Sequence, residues 1–369
     1  MHPRRRFLKH TLGAAGSSLL LGAGISLPNV AQANNDTIWT MPDEAAPHRA
    51  TWMAYGPQAT IWGPRLMHGA RANLASIAKT IAQFEPVNML VRAADYDIAA
   101  KQCGSSVQLI VQEIDDLWIR DTGAVFVKNQ QHQIGAIDFH FNGWGNKQSH
   151  ARDARVAAMM IRNTAVTTLA TRLVLEGGAI EVDGDGSAII TESCVLNANR
   201  NPGVSKAHIE TELKRLLGLN KIIWLPGIAG RDITDGHTDF YARFTEPGVV
   251  VAHIDHDPDS YDYAVTRRHL NLLRAATDAK GRKLEVIELP GPNSIRQQFS
   301  NDEFTAGYIN FYVCNHAVIC PQFGDSKTDR NTRDILRDLF PSRDVVQLNI
   351  DAIAAGGGGI HCATQQQIA

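Results

Sequence analysis

The feature that most constrains the fold of this chain is the alternation, after residue 45, of short apolar runs with helix-like stretches. The runs are rich in Val, Ile and Leu, and most are bounded by Gly, Pro, Asn or Asp, which is typical of strands. The predicted strands are Val87–Val91, Val107–Gln112, Ala124–Val127, Ala188–Thr191, Ile222–Leu225, Val249–His253, Leu284–Glu288, Ile309–Val313, Ala317–Ile319 and Asp344–Leu348. The predicted helices are Ala70–Gln83, Ser205–Leu217, Asp262–Ala279 and Thr328–Leu339. This alternation predicts one α/β domain, since no Pro- or Ser-rich linker divides it.

Residues 1–33 are typical of an export signal. Arg4-Arg5-Arg6-Phe7-Leu8-Lys9 fits the twin-arginine pattern, and Ala31-Gln32-Ala33 fits a cleavage site. The apolar stretch between them, 11–27, is short and diluted by Gly, whereas a bilayer span takes about 20 strongly apolar residues. We therefore expect a signal at 1–33, a mature domain at 34–369, transit through the twin-arginine machinery to the periplasm or medium, and no stable membrane anchor.

The net charge limits which ligands the chain can bind, and the cysteine content limits its disulfide bonds. Without residues 1–33 the chain has 32 rather than 36 Lys and Arg against 38 Asp and Glu, so its net charge goes from -2 to -6. A mildly acidic chain is a poor nucleic-acid binder and weakly favours cationic substrates. The cysteine count is five, so one at least stays unpaired within the chain, and folding in the cytoplasm before export argues against a disulfide framework. A homo-oligomer is compatible with the sequence.

Two glycine-containing motifs are predicted to be structural. The run 356–359 is not a phosphate loop, because no helix and no Lys-Ser/Thr pair follows it. Asp183-Gly184-Asp185-Gly186 predicts a hairpin turn rather than a calcium site.

Four segments place charged or nucleophilic residues beside glycine. They are Leu117–Gly123, Leu175–Gly178, Asp235–Asp239 and Gly357–Cys362. If the third segment is extended, His237 and Asp239 point to the same face, because side chains two apart do so in a strand. Each feature has a plainer interpretation when taken alone: a surface pair for His237 and Asp239, a turn carboxylate for Glu176, and a flexible tail for Cys362.

Together these residues offer a thiol, an imidazole and three carboxylates with no evident cationic clamp, an inventory that suits a planar cation. A guanidinium pairs with two carboxylates through charge-assisted hydrogen bonds. A thiolate can then attack its central carbon while the histidine moves protons.

The sequence resembles the agmatine deiminases, members of the guanidine-modifying superfamily with the pentein fold, from about Met41 to Gln367. The motifs that carry the resemblance are Met41-Pro42-Asp43-Glu44, Trp118–Gly123, Phe141–Gly145, Leu175–Gly178, Asn199–Pro202, Gly236–Asp239, Tyr308–Tyr312, Gly356–Gly358 and Ile360–Cys362. The resemblance implies a single-domain five-bladed α/β propeller of ββαβ modules with a central site.

The resemblance also implies a role for each matching residue. Cys362 matches the nucleophile, which forms a covalent amidino intermediate, His237 matches the acid/base, and Glu176 matches the carboxylate that orients the histidine. Asp121 and Asp239 match the carboxylates that hold the guanidinium. Two aromatic residues in these motifs, Trp118 and Trp144, are expected to bind substrate, and no metal or organic cofactor is implied.

The chain departs from the family pattern at five positions. The family usually has Trp at Ala45, Trp-Pro at Tyr55-Gly56, Pro at Ala124 and Asn at Gly359.

The sequence leaves three hypotheses about the function. The leading one is a hydrolase that converts agmatine and water to N-carbamoylputrescine and ammonia. The alternatives are a peptidyl- or protein-arginine deiminase, related to the bacterial peptidylarginine deiminases, and an exported polyamine-binding protein without turnover.

Overall fold

The computed structural model describes residues 37–369, which belong to one compact unit. The expected export signal, 1–33, lies outside the described residues. Within the described part, no helix combines the length and the apolar character needed to cross a membrane.

Seventeen strands form five separate sheets in this part of the chain. The strands are β1 Trp39–Thr40, β2 His48–Ala54, β3 Val87–Val91, β4 Val107–Val111, β5 Val125–Asn129, β6 Ile134–Ile137, β7 Thr167–Leu169, β8 Glu181–Val182, β9 Ser187–Thr191, β10 Lys221–Leu225, β11 Ala242–Glu246, β12 Val249–Ile254, β13 Glu285–Pro290, β14 Tyr312–Cys314, β15 Ala317–Gln322, β16 Asp344–Asn349 and β17 Gln365–Ile368. The sheet orders are β17-β2-β3-β4, β1-β5-β6-β7, β10-β9-β8, β11-β12-β13 and β14-β15-β16.

The five sheets repeat one pairing pattern. In each, an antiparallel pair is followed by a parallel strand: β5-β6-β7, β8-β9-β10, β11-β12-β13, β14-β15-β16 and β17-β2-β3. A parallel pair needs a crossover, and helices supply it in most of the modules. The fifth sheet joins the two ends of the described chain, with Gln365 paired opposite Trp52.

The helices lie mainly in the crossovers. They are α1 Ala59–Ile81, α2 Tyr96–Cys103, α3 Ile119–Thr122, α4 Gly143–Asn146, α5 Val156–Thr164, α6 Glu192–Val195, α7 Lys206–Leu217, α8 Tyr263–Ala275, α9 Ser326–Leu339 and α10 Asp351–Ala354, with 3₁₀ turns at Ala93–Asp95, Asp153–Arg155, Gly177–Ala179 and Thr238–Phe240. Helix α7 shows why these segments fold. Ser205 caps its first turn, Leu213 and Leu217 bury one face, and Gly218 ends it in the left-handed region.

The predicted elements are largely confirmed, with differences at their boundaries. Val87–Val91 is a strand with the predicted bounds, and the turn at 183–186 joins β8 to β9 as a hairpin. Helix α1 begins eleven residues before the predicted Ala70, and α8 ends at Ala275 because Thr277 pairs with Lys283. Strand β14 begins only at Tyr312, because the preceding residues are part of the site.

Candidate active site

The predicted nucleophile, the histidine and the three carboxylates lie in four connections, each of which leads into the first strand of a different antiparallel pair. Asp121 comes before β5, Glu176 before β8, His237 and Asp239 before β11, and Cys362 before β17. The equivalent connection before β14 carries Asn310. Since these five positions are equivalent in the repeated pattern, the fold itself brings together residues far apart in sequence.

Cys362 is buried, with 7% of its surface exposed, and its thiol lies between an amide and a carboxylate. Asn310 Nδ2 is 3.3 Å from the sulfur, and Asn310 Oδ1 accepts the Cys362 backbone N–H at 3.2 Å. The sulfur lies 3.5 Å from Asp239 Oδ2. Burial, followed by the negative charges of Asp239 and Asp121, raises the pKa of the thiol well above its ordinary value. In the empty site the sulfur is therefore a neutral thiol.

The glycines before Cys362 give neighbouring groups room. A Cβ on Gly358 would overlap the Trp118 ring, one on Gly356 would overlap the Trp62 ring, and one on Gly359 would overlap the Asn310 amide. The two indoles stack with ring centroids 5.8 Å apart. The run 356–359 is thus a packed segment that lets Asn310 reach the nucleophile. Gly359 in particular leaves room for the Asn310 amide.

The two carboxylate oxygens of Asp239 have different surroundings. Oδ2 accepts a hydrogen bond from His361 Nδ1 at 2.7 Å, whereas Oδ1 is buried and has no hydrogen-bond partner among the described residues. Burial raises the pKa of Asp239, but the hydrogen bond and charge of His361 outweigh it and leave the pKa below its ordinary value. The carboxylate is therefore ionised, with one oxygen free for a cation.

His237 lies between two carboxylates. Its Nε2 is 3.4 Å from Glu176 Oε2 and its Nδ1 is 3.7 Å from Asp121 Oδ1. Burial lowers the pKa of the imidazole, but the charge of Asp121 and the contacts with Cys194 and Glu176 raise it well above its ordinary value. His237 is therefore an imidazolium at neutral pH and can donate a proton.

Glu176 is tied to the interior by Arg200, whose Nε lies 3.1 Å from Glu176 Oε1. Burial raises the pKa of Glu176, but the hydrogen bond to His237 and the charge of Arg200 outweigh it and lower the pKa. Glu176, Cys194 and His237 each offer a ligand atom within 4.8 Å of the others. A metal ion here would have to displace the proton of His237 and lie close to the Arg200 cation. Without a metal, Glu176 forms ion pairs with His237 and Arg200.

Asp121 is held by donors behind the site. Trp144 Nε1 donates to Oδ2 at 2.9 Å, and the Gly178 N–H donates to Oδ1 at 3.1 Å. Burial, partly offset by the charge of His237, raises the pKa of this carboxyl. Trp144 has a φ of 54°, an unusual backbone conformation for a bulky residue that turns its indole toward Asp121. Trp144 thus lies behind the carboxylate, with 2% of its surface exposed.

The expected extended geometry of His237 and Asp239 is wrong. His237 is extended, but Asp239 lies in the 3₁₀ turn Thr238–Phe240. The two residues still approach one point, because a Cβ added to Gly178 would lie 2.6 Å from His237 Nδ1, 2.9 Å from Asp121 Oδ1 and 3.2 Å from Asp239 Oδ2. A glycine, rather than strand alternation, lets the three side chains converge.

Comparison of the whole sequence with known proteins identifies a family. Residues 40–367 match the model of the Porphyromonas-type peptidyl-arginine deiminases. The chain belongs to this family.

Individual members of the family are similar over nearly their whole length. A Streptomyces coelicolor protein is 43% identical over 335 residues, which is 89% of this chain and 98% of the relative. The agmatine deiminase of Medicago truncatula is 36% identical over 358 residues, 89% of this chain and 96% of its own. The structure of the Enterococcus faecalis agmatine deiminase superposes with a TM-score of 0.83 at 31% identity and covers 91% of this chain and 99% of its own. The mixed α/β fold is thus that of the agmatine deiminases.

Three residues of the site in this family member were not singled out from the sequence. Asn310 contacts the thiol, His361 contacts Asp239, and Glu44 contacts His361. Each lies inside a motif that carried the resemblance, at 308–312, 360–362 and 41–44. Their types carried no signal by themselves, because their neighbours come from distant parts of the chain.

Proposed function

We propose that the protein hydrolyses agmatine to N-carbamoylputrescine and ammonia through a covalent intermediate on Cys362. The observation that carries the proposal is the unpartnered Oδ1 of Asp239, buried on a carboxylate whose other oxygen lies 3.5 Å from the Cys362 sulfur. A buried carboxylate oxygen without a partner is costly, and a guanidinium satisfies it by a charge-assisted hydrogen bond. The similarity to agmatine deiminases over nearly the whole chain supports this substrate.

The first half of the reaction forms the amidino intermediate. Asp121 and Asp239 hold the guanidinium, and its positive charge beside Cys362 favours the thiolate, which burial and the carboxylates otherwise disfavour. The Cys362 thiol releases its proton to solvent, the sulfur bonds to the central carbon, and the bond from that carbon to a terminal nitrogen breaks. The nitrogen leaves as ammonia with a proton from His237.

The second half returns the enzyme to its starting state. The neutral His237 takes a proton from water, and the water oxygen bonds to the carbon. The carbon–sulfur bond then breaks while the remaining hydroxyl proton moves to the sulfur, which releases the carbamoyl product and restores the Cys362 thiol. Glu176, which contacts His237 Nε2 and is tied to Arg200, keeps the imidazole in place.

The choice of agmatine over free arginine rests on the arginines around the site. Free arginine brings an α-carboxylate that needs a cation, because burying it unpaired is costly. Arg120 is bound to Glu44, and Arg200 is bound to Glu176 and Asp235. Both candidates for a carboxylate clamp are thus buried in existing ion pairs.

Peptidyl-arginine is the second candidate substrate, and the description of the family favours it. The enclosure of Cys362 argues against it, because a buried nucleophile favours a slim substrate. The stacked Trp62 and Trp118 beside the glycine run 356–359 argue in the same direction. Capture of a polyamine without turnover has no support from the site, which retains its nucleophile and acid/base.

Two further proposals concern the arrangement and location of the protein. We infer that the five sheets are the blades of a pentein propeller, supported by their repeated pairing and by one site residue before each. We also propose action in the periplasm or medium after twin-arginine export, supported by the pattern at 4–9 and the cleavage site at 31–33.

Side-by-side kinetics on the mature protein test the substrate. Ammonia release is measured with agmatine, free L-arginine and a blocked arginine peptide, with Cys362→Ser as the inactive control. We expect agmatine to exceed arginine at least about tenfold in kcat/KM, which corresponds to about 1.4 kcal/mol. A preference for the peptide would move the protein to the second candidate, and turnover by the serine variant would refute the nucleophile.

A further inference from the structure

His361, the residue before the nucleophile, bridges two buried carboxylates. Its Nδ1 lies 2.7 Å from Asp239 Oδ2, and its Nε2 lies 2.9 Å from Glu44 Oε2. The imidazole is 2% exposed and Asp239 is 1% exposed, so water does not stand in for either partner. Asp239 is the carboxylate next to the thiol, and Glu44 belongs to the N-terminal part of the domain.

The two contacts bear on which ring nitrogen carries hydrogen. A neutral imidazole has one N–H donor, whereas an ionised carboxylate can only accept. Burial raises the pKa of Glu44, but Arg243, His361 and Arg120 outweigh it and lower the pKa well below its ordinary value; the pKa of Asp239 is lowered as well. Both carboxylates therefore act as hydrogen-bond acceptors toward the ring, and the contact of Asp239 Oδ2 with Nδ1 is the shorter of the two.

We propose that His361 is a positioning residue: its imidazole occupies Oδ2 of Asp239, so that Oδ1 faces the substrate. This inference rests on the proposed function, since it assigns a purpose to the free oxygen. The far side of the ring is held by Glu44, which is paired in turn with Arg120 on α3 and Arg243 on β11.

The other charged groups around Asp239 do not duplicate this contact. His237 belongs to the same turn, Asp121 raises the cost of a negative charge, and Cys362 offers only a neutral thiol at 3.5 Å. Arg243 on β11 is bound to Glu44 and Glu181. Among the described residues, His361 is the N–H donor in hydrogen-bond contact with the Asp239 carboxylate.

His361→Asn tests the proposal, because the asparagine amide keeps a donor near Asp239 but carries no charge and does not reach Glu44. The pKa of Asp239 then rises, so the carboxylate takes up a proton at higher pH. We expect kcat/KM for agmatine at neutral pH to fall by about tenfold or more, mostly through KM. We also expect the acid limb of the kcat/KM profile to move to higher pH.

The matched control is His48→Asn. His48 is also buried and pairs through Nδ1 with a buried carboxylate, Glu85, but it contacts none of the reacting groups. The control should lose stability and keep the wild-type acid limb. If His361→Asn lowers activity equally at every pH and leaves the acid limb in place, the role is structural and the proposal is wrong.

A second measurement is independent of turnover. Nitrogen NMR of the histidine-labelled protein at neutral pH should show hydrogen on His361 Nδ1, the ring nitrogen that contacts Asp239. A bare Nδ1 would overturn the proposal even if the asparagine variant fails to fold. Absence of agmatine turnover by the wild type would instead refute the proposed function, while the ring nitrogens still decide on His361.

Discussion

Raised pKa values on two residues prepare the site for a cation. The pKa of the Cys362 thiol is raised by burial and by Asp239 and Asp121, and the pKa of His237 is raised, despite burial, by Asp121. The thiol is neutral and the imidazole is charged until a guanidinium arrives. Substrate charge is therefore what we expect to create the nucleophile.

Asp239→Asn and Asp121→Asn should each reduce binding and turnover of agmatine. Each removes a charge-assisted partner of the guanidinium, worth about 1.5–3 kcal/mol, so kcat/KM should fall roughly tenfold to a hundredfold. Steady-state kinetics measure the loss, circular dichroism checks the fold, and Asp338→Asn on the exposed face of α9 is the control. Unchanged kinetics in either site variant would show that another acid holds the substrate.

The fall of kcat at high pH should follow the loss of the proton from His237. Its pKa is raised in the folded protein, so the proton needed by the departing ammonia is present at neutral pH and is lost as pH rises through that raised value. We expect kcat to fall only well above the ordinary histidine value of about 6.5. A pH series with agmatine at saturation measures it, and a fall near the ordinary value would contradict the assignment.

At the scale of elements, the chemistry is carried by the connections that enter the sheets. Gly177–Ala179, Thr238–Phe240 and α3 are one-turn elements that meet at one point. Thr238–Phe240 and α3 present Asp239 and Asp121 there, and Gly177–Ala179 contributes backbone. Gly178 is central to this convergence, because its missing Cβ leaves room for His237, Asp121 and Asp239.

Gly178→Ala should remove activity with a smaller effect on the fold. Its Cβ would lie closer to His237 Nδ1 and Asp121 Oδ1 than packed atoms allow, so those side chains must move. Gly291→Ala is the control, since its Cβ would have an ordinary contact of 3.4 Å with His253. Ammonia release and thermal unfolding are measured on both. An active Gly178→Ala enzyme would show that the convergence is not needed.

At the scale of the molecule, the last strand completes both the fold and the site. Strand β17 pairs with β2, and Cys362 lies three residues before it, so the nucleophile is placed only when the end of the chain returns to its beginning. Folding of the whole domain must precede activity. The twin-arginine route, which carries folded proteins, is compatible with this order.

Arg4→Lys combined with Arg5→Lys should hold active protein in the cytoplasm. The physical reason is that the translocation machinery reads the arginine pair as an address rather than as charge, so lysine does not replace it. Fractionation followed by ammonia release measures the outcome. Undiminished periplasmic activity in the double variant would indicate another export route.

The sequence by itself determined the α/β class, most of the apolar strands, the amphipathic helices and the family, because hydrophobic periodicity and ordered motifs are local properties. It did not show strands such as β2 and β11, which carry His, Arg and Thr among their residues and gain their partners from other parts of the chain.

Only the tertiary structure decided which groups face one another. Asn310, His361 and Glu44 make their contacts with the site from distant parts of the chain. His361 contacts one oxygen of Asp239, and the other oxygen has no partner among the described residues. The reason is physical: burial, charge and hydrogen-bond partners set the pKa values and orientation of these groups, and all three depend on neighbours that the order of residues does not reveal.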